Sequence, residues 1–459
     1  MKNELASSSK PASHAIVIGG SIAGLTAAKV LSNHYDKVTI FERDRMPEGI
    51  ENRKGVPQGR HPHVILKRGG MIFEELFPGL TDDLRQAGAV EVNVGQSAWY
   101  AFGAWRPRYD STITTTAASR PLLESTARRH LMKQPGLRFV QDCEVVGLEM
   151  NASGTHVTGI KVRNRNGAIL DTTETTLTAD LVVDASGRDS KAPEWLESLG
   201  YPVPQETVVD GKAAYATRIF EKNADWDLDW EFMYVQPTAP YQKRGIIFLP
   251  MEGGKRWHVT AIGMAGDYPP TDEEGFMEFI RSLPVQMPFE ALQKCTPVTP
   301  IVGYRRAENR MRHYHAMPRY LENFLVAGDA AIAFNPVYGQ GMSSAAIGAL
   351  VLDACIKEHL AEGQTGSLAE RFQKQLEQAI TVPWQLATGE DSRWFPVEGA
   401  TPDPEMMMMG RYMEQVFRAT CINPQVLEAF YQVMHMLETP SIFFRPDIVL
   451  QVVNEMVTA

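Results

Sequence analysis

The rhythm of apolar and polar positions changes several times along the chain, and each change predicts an element. A short apolar strand at His14–Ile18 leads into a glycine turn, then a helix, then a second strand at Lys37–Phe41. In that helix Ala23, Ala27, Val30 and Leu31 recur at helical spacing, a stripe of small apolar residues able to lie close on a sheet. Strand, helix and strand make a β-α-β unit, which predicts a parallel sheet. Residues 177–184 are another apolar run, a buried strand feeding the turn Asp184-Ala185-Ser186-Gly187. Between about 201 and 298 short runs carrying Phe232, Tyr234, Phe248 and Trp257 alternate with Pro, Gly and Asp, predicting a mostly antiparallel second domain. Residues 324–327 restore the buried-strand run. A glycine-containing loop follows, then a helix from Gly341 to about 358 with Met342, Ala345, Ala349 and Leu352 on one face. Beyond Gly363 the chain reads as helices punctuated by Pro424, Pro440 and Pro446. There Leu427, Phe430, Met434 and Leu437 form an apolar stripe expected to pack into the core, with a lid or a membrane-surface contact as the other reading.

These elements divide the chain as follows: a flexible tail (1–14), the first part of a nucleotide-binding domain (15–200), the antiparallel domain (201–300), completion of the first domain (301–362) and a helical region (363–459). An excursion at 75–115 is expected to reach toward the second domain. The fold class is therefore α/β, a Rossmann-like domain interrupted by an antiparallel one. The 459 residues suit about three domain-sized units, and 44% hydrophobic content supplies a large core, which excludes disordered and fibrous classes. A formal charge of −10 argues against a nucleic-acid partner. Four scattered cysteines suit reduced cytoplasmic thiols better than a disulfide framework or zinc site. The polar first fourteen residues do not read as a signal peptide, and no window makes a good bilayer-spanning helix.

Gly19-Gly20-Ser21-Ile22-Ala23-Gly24 lies between strand and helix, where a dinucleotide fingerprint must lie. Gly19 supplies the tight turn, position 21 the close approach of a pyrophosphate, and Gly24 the close helix–strand contact. Ser21 departs from the glycine pattern. The helix N-terminus offers free N–H groups and partial positive charge to phosphates. Glu42 ends the second strand, placed to accept hydrogen bonds from an adenosine ribose and to repel a 2′-phosphate, so the ligand should be FAD or NAD. A tight turn without ligand would use the same glycines; strand, helix and acid together favour the nucleotide. Later, Gly328-Asp329 follows a strand and Asn335-Pro336-Val337-Tyr338-Gly339-Gln340-Gly341-Met342 opens a helix. Asp329 can bind a sugar-alcohol hydroxyl, or simply cap a helix, and the helix from Gly341 can aim its positive end at a flavin ring carbonyl.

These motifs, with Ala179-Asp180-Leu181-Val182-Val183-Asp184-Ala185-Ser186-Gly187, resemble those of the class A FAD-dependent monooxygenases. Three stretches resemble bacterial epoxidases of the monensin and lasalocid polyether pathways, and more distantly squalene epoxidase. They are Arg53-Lys54-Gly55-Val56-Pro57-Gln58-Gly59-Arg60-His61-Pro62-His63, Ser119-Arg120-Pro121-Leu122-Leu123-Glu124 and Leu249-Pro250-Met251-Glu252-Gly253-Gly254-Lys255-Arg256-Trp257. The resemblance implies that Ile22, Ala23, Glu42 and Arg43 surround the adenosine half of FAD and Val145 lies near the adenine. It places Arg53 and Arg120 near the pyrophosphate and ribityl chain, Asp329 on the ribityl chain or pyrophosphate, and Gly341 and Met342 at the isoalloxazine. It implies oxygen transfer from a flavin C4a-hydroperoxide to a lipophilic small molecule, with O₂ as co-substrate and NAD(P)H or a separate flavin reductase as electron source. Epoxidation of an alkene leads. Aromatic hydroxylation, reduction, halogenation and flavin binding without turnover are the alternatives, and the halogenase Trp-x-Trp-x-Ile-Pro stretch is absent. No catalytic side chain and no metal site are assigned.

Several groups carry two readings. Arg305, Arg306, Arg310 and Arg312 read as a solvated basic face, or else as receivers of NADPH phosphates. His61 with His63, and His313 with His315, are expected to make local hydrogen bonds rather than hold a metal. Trp226, Trp230, Phe232, Tyr234, Phe248 and Trp257 are expected in the core, with an apolar substrate cavity as the other reading. The methionines at 406–409 suggest adaptable apolar surface.

Overall fold

The computed structural model describes residues 13–166, 169–223, 228–395 and 404–458. The tail expected at 1–14 lies outside them except for Ser13 and His14, and His14 is already in a strand. Trp226 also lies outside.

Five strands form a parallel sheet in the order Phe324–Val326, Leu181–Asp184, β1 (His14–Ile18), β2 (Lys37–Phe41), Leu137–Val140. β1 is central, and Ala15, Ile16 and Val17 are fully buried, as a strand covered on both faces must be. Helix α1 (Ile22–Leu31) is buried on nearly every side, not on one stripe: Leu25, Thr26, Ala28 and Leu31 join Ala27 and Val30 inside. It is clamped between the sheet and the later helix α2 (Gly341–Ala361), so only Ala23 and Lys29 keep partial exposure.

The second sheet has eight strands. Its backbone is the antiparallel set Ala214–Lys222, Arg256–Gly263, Arg244–Pro250 and Met233–Val235, and Ala98–Ala101 adds to the last of these in parallel. Val302–Tyr304 also pairs with Ala214–Lys222, so the sheet continues past the boundary expected at 300. Side chains alternate across it. Phe220, Trp230, Phe248 and Trp257 face the helices Glu273–Arg281 and Met287–Leu292, whereas Trp99, Phe232, Leu249 and, partly buried, Tyr234 pack on the opposite side.

A ribbon of Cys143–Met150, Val157–Asn166 and Thr175–Thr178 was not predicted. Residues Ile160, Lys161, Val162 and Arg163 alternate buried and outward, but register shifts at Val145/Gly147 and Glu149/Met150 break the two-residue period of the neighbouring strand.

In the last quarter, helix α3 (Leu368–Ser392) runs on through Pro383. Helix α4 (Pro424–Met434) begins at Asn423, whose side chain accepts from the N–H groups of Gln425 and Val426, with proline in the first turn. Its Leu427 and Tyr431, with Phe430, Met434 and Leu437, pack on Val92, Trp99 and Leu249. Met408 and Met409 are exposed on the helix Pro404–Ala419. No described helix is long and apolar enough to cross a membrane. All four cysteines are free thiols.

Candidate active site

The turn from β1 into α1 is built by exclusion of side chains. Gly19 has φ +99°, and a Cβ there would lie 2.5 Å from the Ala185 carbonyl oxygen. A Cβ on Gly24 would lie 1.8 Å from the Gly19 oxygen. Ser21 caps α1 without bonding to its backbone, leaving the first-turn N–H groups free for an anion. Its hydroxyl is used sideways instead: it donates to Glu124 at 2.9 Å and accepts from the Arg120 guanidinium at 2.7 Å. Serine at the position of the motif's middle glycine thus ties the turn to the helix Arg120–Leu131.

Opposite this turn lies the loop after Leu181–Asp184. Asp184 accepts from the Ser186 N–H at 2.9 Å and the Ser190 hydroxyl at 2.5 Å, which shapes Ala185, Ser186, Gly187 and Arg188 into a wall. The strand Phe324–Val326 delivers Asp329 to the same opening. Gly328 has φ +60°, and a Cβ on it would meet Ala23 at 2.5 Å. Burial pushes the Asp329 carboxyl upward, and Arg188 and Arg120 pull against that shift. Gly339, at φ +66°, turns the chain into α2, whose N-terminus is again free of a side-chain cap.

Between these walls runs a cleft of about 1350 Å³, counting the solvent at its mouth. Of the residues singled out in the sequence, Ser21, Ile22, Ala23, Arg43, Arg120, Asp329, Gly341 and Met342 line it. Gly19 and Gly24 lie behind the wall and give it its shape. Glu42, Arg53 and Val145 do not reach it. The Glu42 carboxylate is occupied by the Gly20 N–H at 2.8 Å, the Asp44 N–H at 3.0 Å and Arg53 at 3.1 Å. Arg53 is buried against Glu42, Asp44 and Glu124. Burial opposes its charge, but Glu124, Glu42 and Asp44 outweigh burial and raise its pKa. Val145 is a buried strand residue opposite Val162.

Sequence reasoning did not assign several lining residues: Arg188, Tyr215, Tyr304, Phe334, Gln340 and the histidines His61 and His63. Arg188 directly follows the motif ending at Gly187, which was a usable signal. The tyrosines come from the second sheet, and only its packing brings them here. His61 Nδ1 pairs with the Thr217 hydroxyl at 2.6 Å, and Thr217 with Thr260 at 2.7 Å. His63 Nδ1 donates to the His61 carbonyl at 2.9 Å. Burial pushes His61 down to about 4 and His63 down to about 3, so both are neutral at pH 7. Burial also raises the Tyr304 phenol, and Tyr215 far more.

Glycines that leave no room for side chains, two uncapped helix ends aimed at one cleft, and an acid between two arginines fit a dinucleotide cofactor with a sugar-alcohol linker. The family described as FAD binding domain matches residues 12–381. The chain belongs to this family. FAD is its cofactor, and class A flavin monooxygenases draw electrons from NAD(P)H and use O₂. Among curated relatives of this FAD-binding protein, Protein Rv3254 of Mycobacterium tuberculosis is 31% identical over 95% of this chain and 92% of its own length. Kynurenine 3-monooxygenase of Salinispora tropica is 26% identical over 75% and 72%. Two solved structures share the fold. p-Nitrophenol 4-monooxygenase PnpA of Pseudomonas putida is 15% identical, covering 93% of this chain and 98% of that one with a TM-score of 0.65. The flavin-dependent brominase Bmp2 is 12% identical, covering 97% and 99% with a TM-score of 0.66.

The remaining candidates of this FAD-binding chain resolve by their partners. The arginines at 305–312 are not a uniform solvated face. Arg312 is buried, donating to the Ala330 and Arg188 carbonyls and pairing with Glu206, because it ties the strand Asn309–Arg312 to the cleft wall. Arg306 pairs with Asp189 and Arg310 with Glu206, while Arg305 lies over the Tyr268 ring. None of Trp230, Phe232, Tyr234, Phe248 and Trp257 borders the cleft; they fill the two sides of the second sheet. His313 bonds across the sheet to Thr207 at 2.7 Å, 106 residues away in the chain and not local to it. Among the described residues no group of three or more His, Cys, Asp or Glu is placed to hold a metal.

Proposed function

We propose that this FAD-dependent monooxygenase epoxidises an alkene in a lipophilic small molecule. Reduced flavin supplies the oxygen activation, and the overall balance is simple. One atom of O₂ joins the double bond, the other leaves as water, and NAD(P)H provides two electrons. The chain's own residues bind and orient. Ser21, Ile22 and Ala23 with the α1 amides would hold the pyrophosphate and Arg120 would neutralise it, with Arg43 at the adenosine end. Asp329 would accept from the ribityl chain, while Gly341 and Met342 would face the ring at the positive end of α2. Glu42 would act behind the wall by fixing Gly20, with Arg53 holding Glu42 and Glu124. Val145 would sit beyond contact with the adenine.

The observation that favours epoxidation is that the wall contributed by the second domain and the loop at 57–64 holds no strong base: burial pushes His61 down to about 4 and His63 down to about 3, so neither imidazole readily takes a phenol's proton. Hydroxylating a phenol is helped by a base that removes the ring hydroxyl's proton, whereas an alkene needs no proton removed. A second reading, aromatic hydroxylation, is favoured by the relatives named kynurenine 3-monooxygenase and p-nitrophenol 4-monooxygenase. Turnover under ¹⁸O₂ with a matched panel of apolar alkenes and phenols tests the choice. One labelled oxygen in an epoxide is expected. Label only in a hydroxylated ring overturns epoxidation, and NAD(P)H oxidation without labelled product from any substrate overturns oxygenation.

A further inference from the structure

The family match ends at residue 381, yet a carboxylate beyond it reaches the back of the cleft wall. Asp391, in the last turn of α3, is 1% exposed. It accepts from Asn309 Nδ2 at 2.7 Å, from the Tyr338 hydroxyl at 2.6 Å, and from Asn335 Nδ2 at 3.2 and 3.1 Å. The rest of Asn335 is held as well. Its N–H donates to Asn309 Oδ1 at 2.8 Å, and its side-chain oxygen accepts from the Tyr215 hydroxyl. Gly211 closes the other side, where a Cβ would stand 2.7 Å from Asp391 Oδ1.

Asn335 and Tyr338 bracket the single 3₁₀ turn Pro336–Tyr338, and Pro336, Gly339, Gln340 and Gly341 are cleft wall. Such a turn, ended by a left-handed glycine, has few bonds of its own to hold its place. Apolar packing already holds α3, through Phe372, Leu376, Ile380 and Ala387. A carboxylate buried at its end costs desolvation that another apolar residue would avoid. What it adds is direction: three donors from two segments converge on one rigid acceptor, and one of those segments, at 335–341, is cleft wall.

We propose that Asp391 is a positioning residue that locks the turn at 335–341, and with it the N-terminus of α2, against the flavin end of the cleft. The proposal rests on FAD occupying that cleft, which titration of the wild-type apoprotein with FAD establishes first. The test compares wild type, Asp391→Asn, Tyr338→Phe and the double variant. FAD dissociation constants come from flavin fluorescence, and the visible absorption band of the bound flavin reports its environment. Far-UV circular dichroism confirms folding. Asp391→Asn keeps the shape but turns half the acceptor into a donor; about tenfold weaker FAD binding, the worth of one charged hydrogen bond, and an altered flavin band are expected. Tyr338→Phe should weaken binding about threefold, and the double variant should be no weaker than Asp391→Asn. A folded Asp391→Asn protein with unchanged affinity and band overturns the proposal, as do effects that simply add in the double variant. If Asp391→Asn does not fold, Tyr338→Phe decides alone, and an unshifted flavin band in it overturns the proposal. Wild-type apoprotein that takes up no FAD would instead refute the cleft as the flavin site.

Discussion

At the scale of single residues, the cleft depends on partners far apart in the chain. Gly19, Gly24, Asp329 and Gly341 could be picked out from local geometry, a positive φ, a close approach, the end of a strand and the start of a helix, and Asp329 and Gly341 line the cleft that Gly19 and Gly24 shape. Glu42 and Arg53 illustrate the opposite case. Each was assigned to the cofactor, and each is engaged within the chain, Glu42 by Gly20, Asp44 and Arg53, and Arg53 by Glu42, Asp44 and Glu124. No spacing rule announces a partner 71 residues away. Asp391 is the extreme instance. Burial raises its carboxyl from 3.8 to about 6, against the pull of Tyr338, Asn335 and Asn309. The folded state therefore binds this proton more tightly than the unfolded chain does. Its contribution to stability is complete below about pH 4 and is lost as pH rises through about 6, up to about 3 kcal/mol for a two-unit shift. The Tm of wild type should fall relative to that of Asp391→Asn across that window. Thermal melts of both proteins at several pH values check this, and parallel Tm curves would contradict it.

At the scale of elements, legibility followed burial. β1, β2 and α2 carry apolar patterns because the core covers them, and the sequence places them to within a few residues. The ribbon at 143–178 escaped because register shifts at Val145/Gly147 and Glu149/Met150 interrupt its two-residue period. Crowding, too, separates elements that look alike in sequence. Gly24 in α1 and Gly389 in α3 are both helical glycines, yet a Cβ on Gly24 would strike the Gly19 oxygen while one on Gly389 would meet nothing within 4 Å. Gly24→Ala must push α1 away from β1 and open the phosphate-binding turn. It should yield protein that purifies without flavin and melts several degrees lower. Gly389→Ala should gain about 0.5–1 kcal/mol from helix propensity and keep its flavin. Flavin absorbance per protein and Tm, measured on both variants together, test the contrast; equal outcomes would mean that the helix–strand contact is not what crowds Gly24.

At the scale of the whole molecule, the parts interlock in a way the order of elements along the chain conceals. Ala98–Ala101 leaves the first half to join the second sheet, and the last helices return to cover it. Trp99 sits at that junction. Arg106 is buried and sandwiched between Trp99 at 4.1 Å and Phe430 of α4 at 4.4 Å, and burial lowers its pKa while Tyr431 and Cys421 pull against that shift. A cation so placed stays dry only while α4 covers it, held in part by ring faces worth about 2 kcal/mol when desolvated. Removing residues 420–459 would expose Val92, Trp99, Phe232 and Leu249 and hydrate Arg106. At about 1.5–3 kcal/mol for each large apolar side chain, the loss rivals the whole stability of an ordinary domain. The parallel sheet, whose core is separate, should survive better than the second sheet. The shortened chain is thus expected to bind a hydrophobic dye, to lose near-ultraviolet dichroism from Trp99 and its neighbours, and to retain part of its far-ultraviolet signal. A truncated protein that is monomeric, silent to the dye and as heat-stable as the full chain would show that α4 lies on the second domain without holding it.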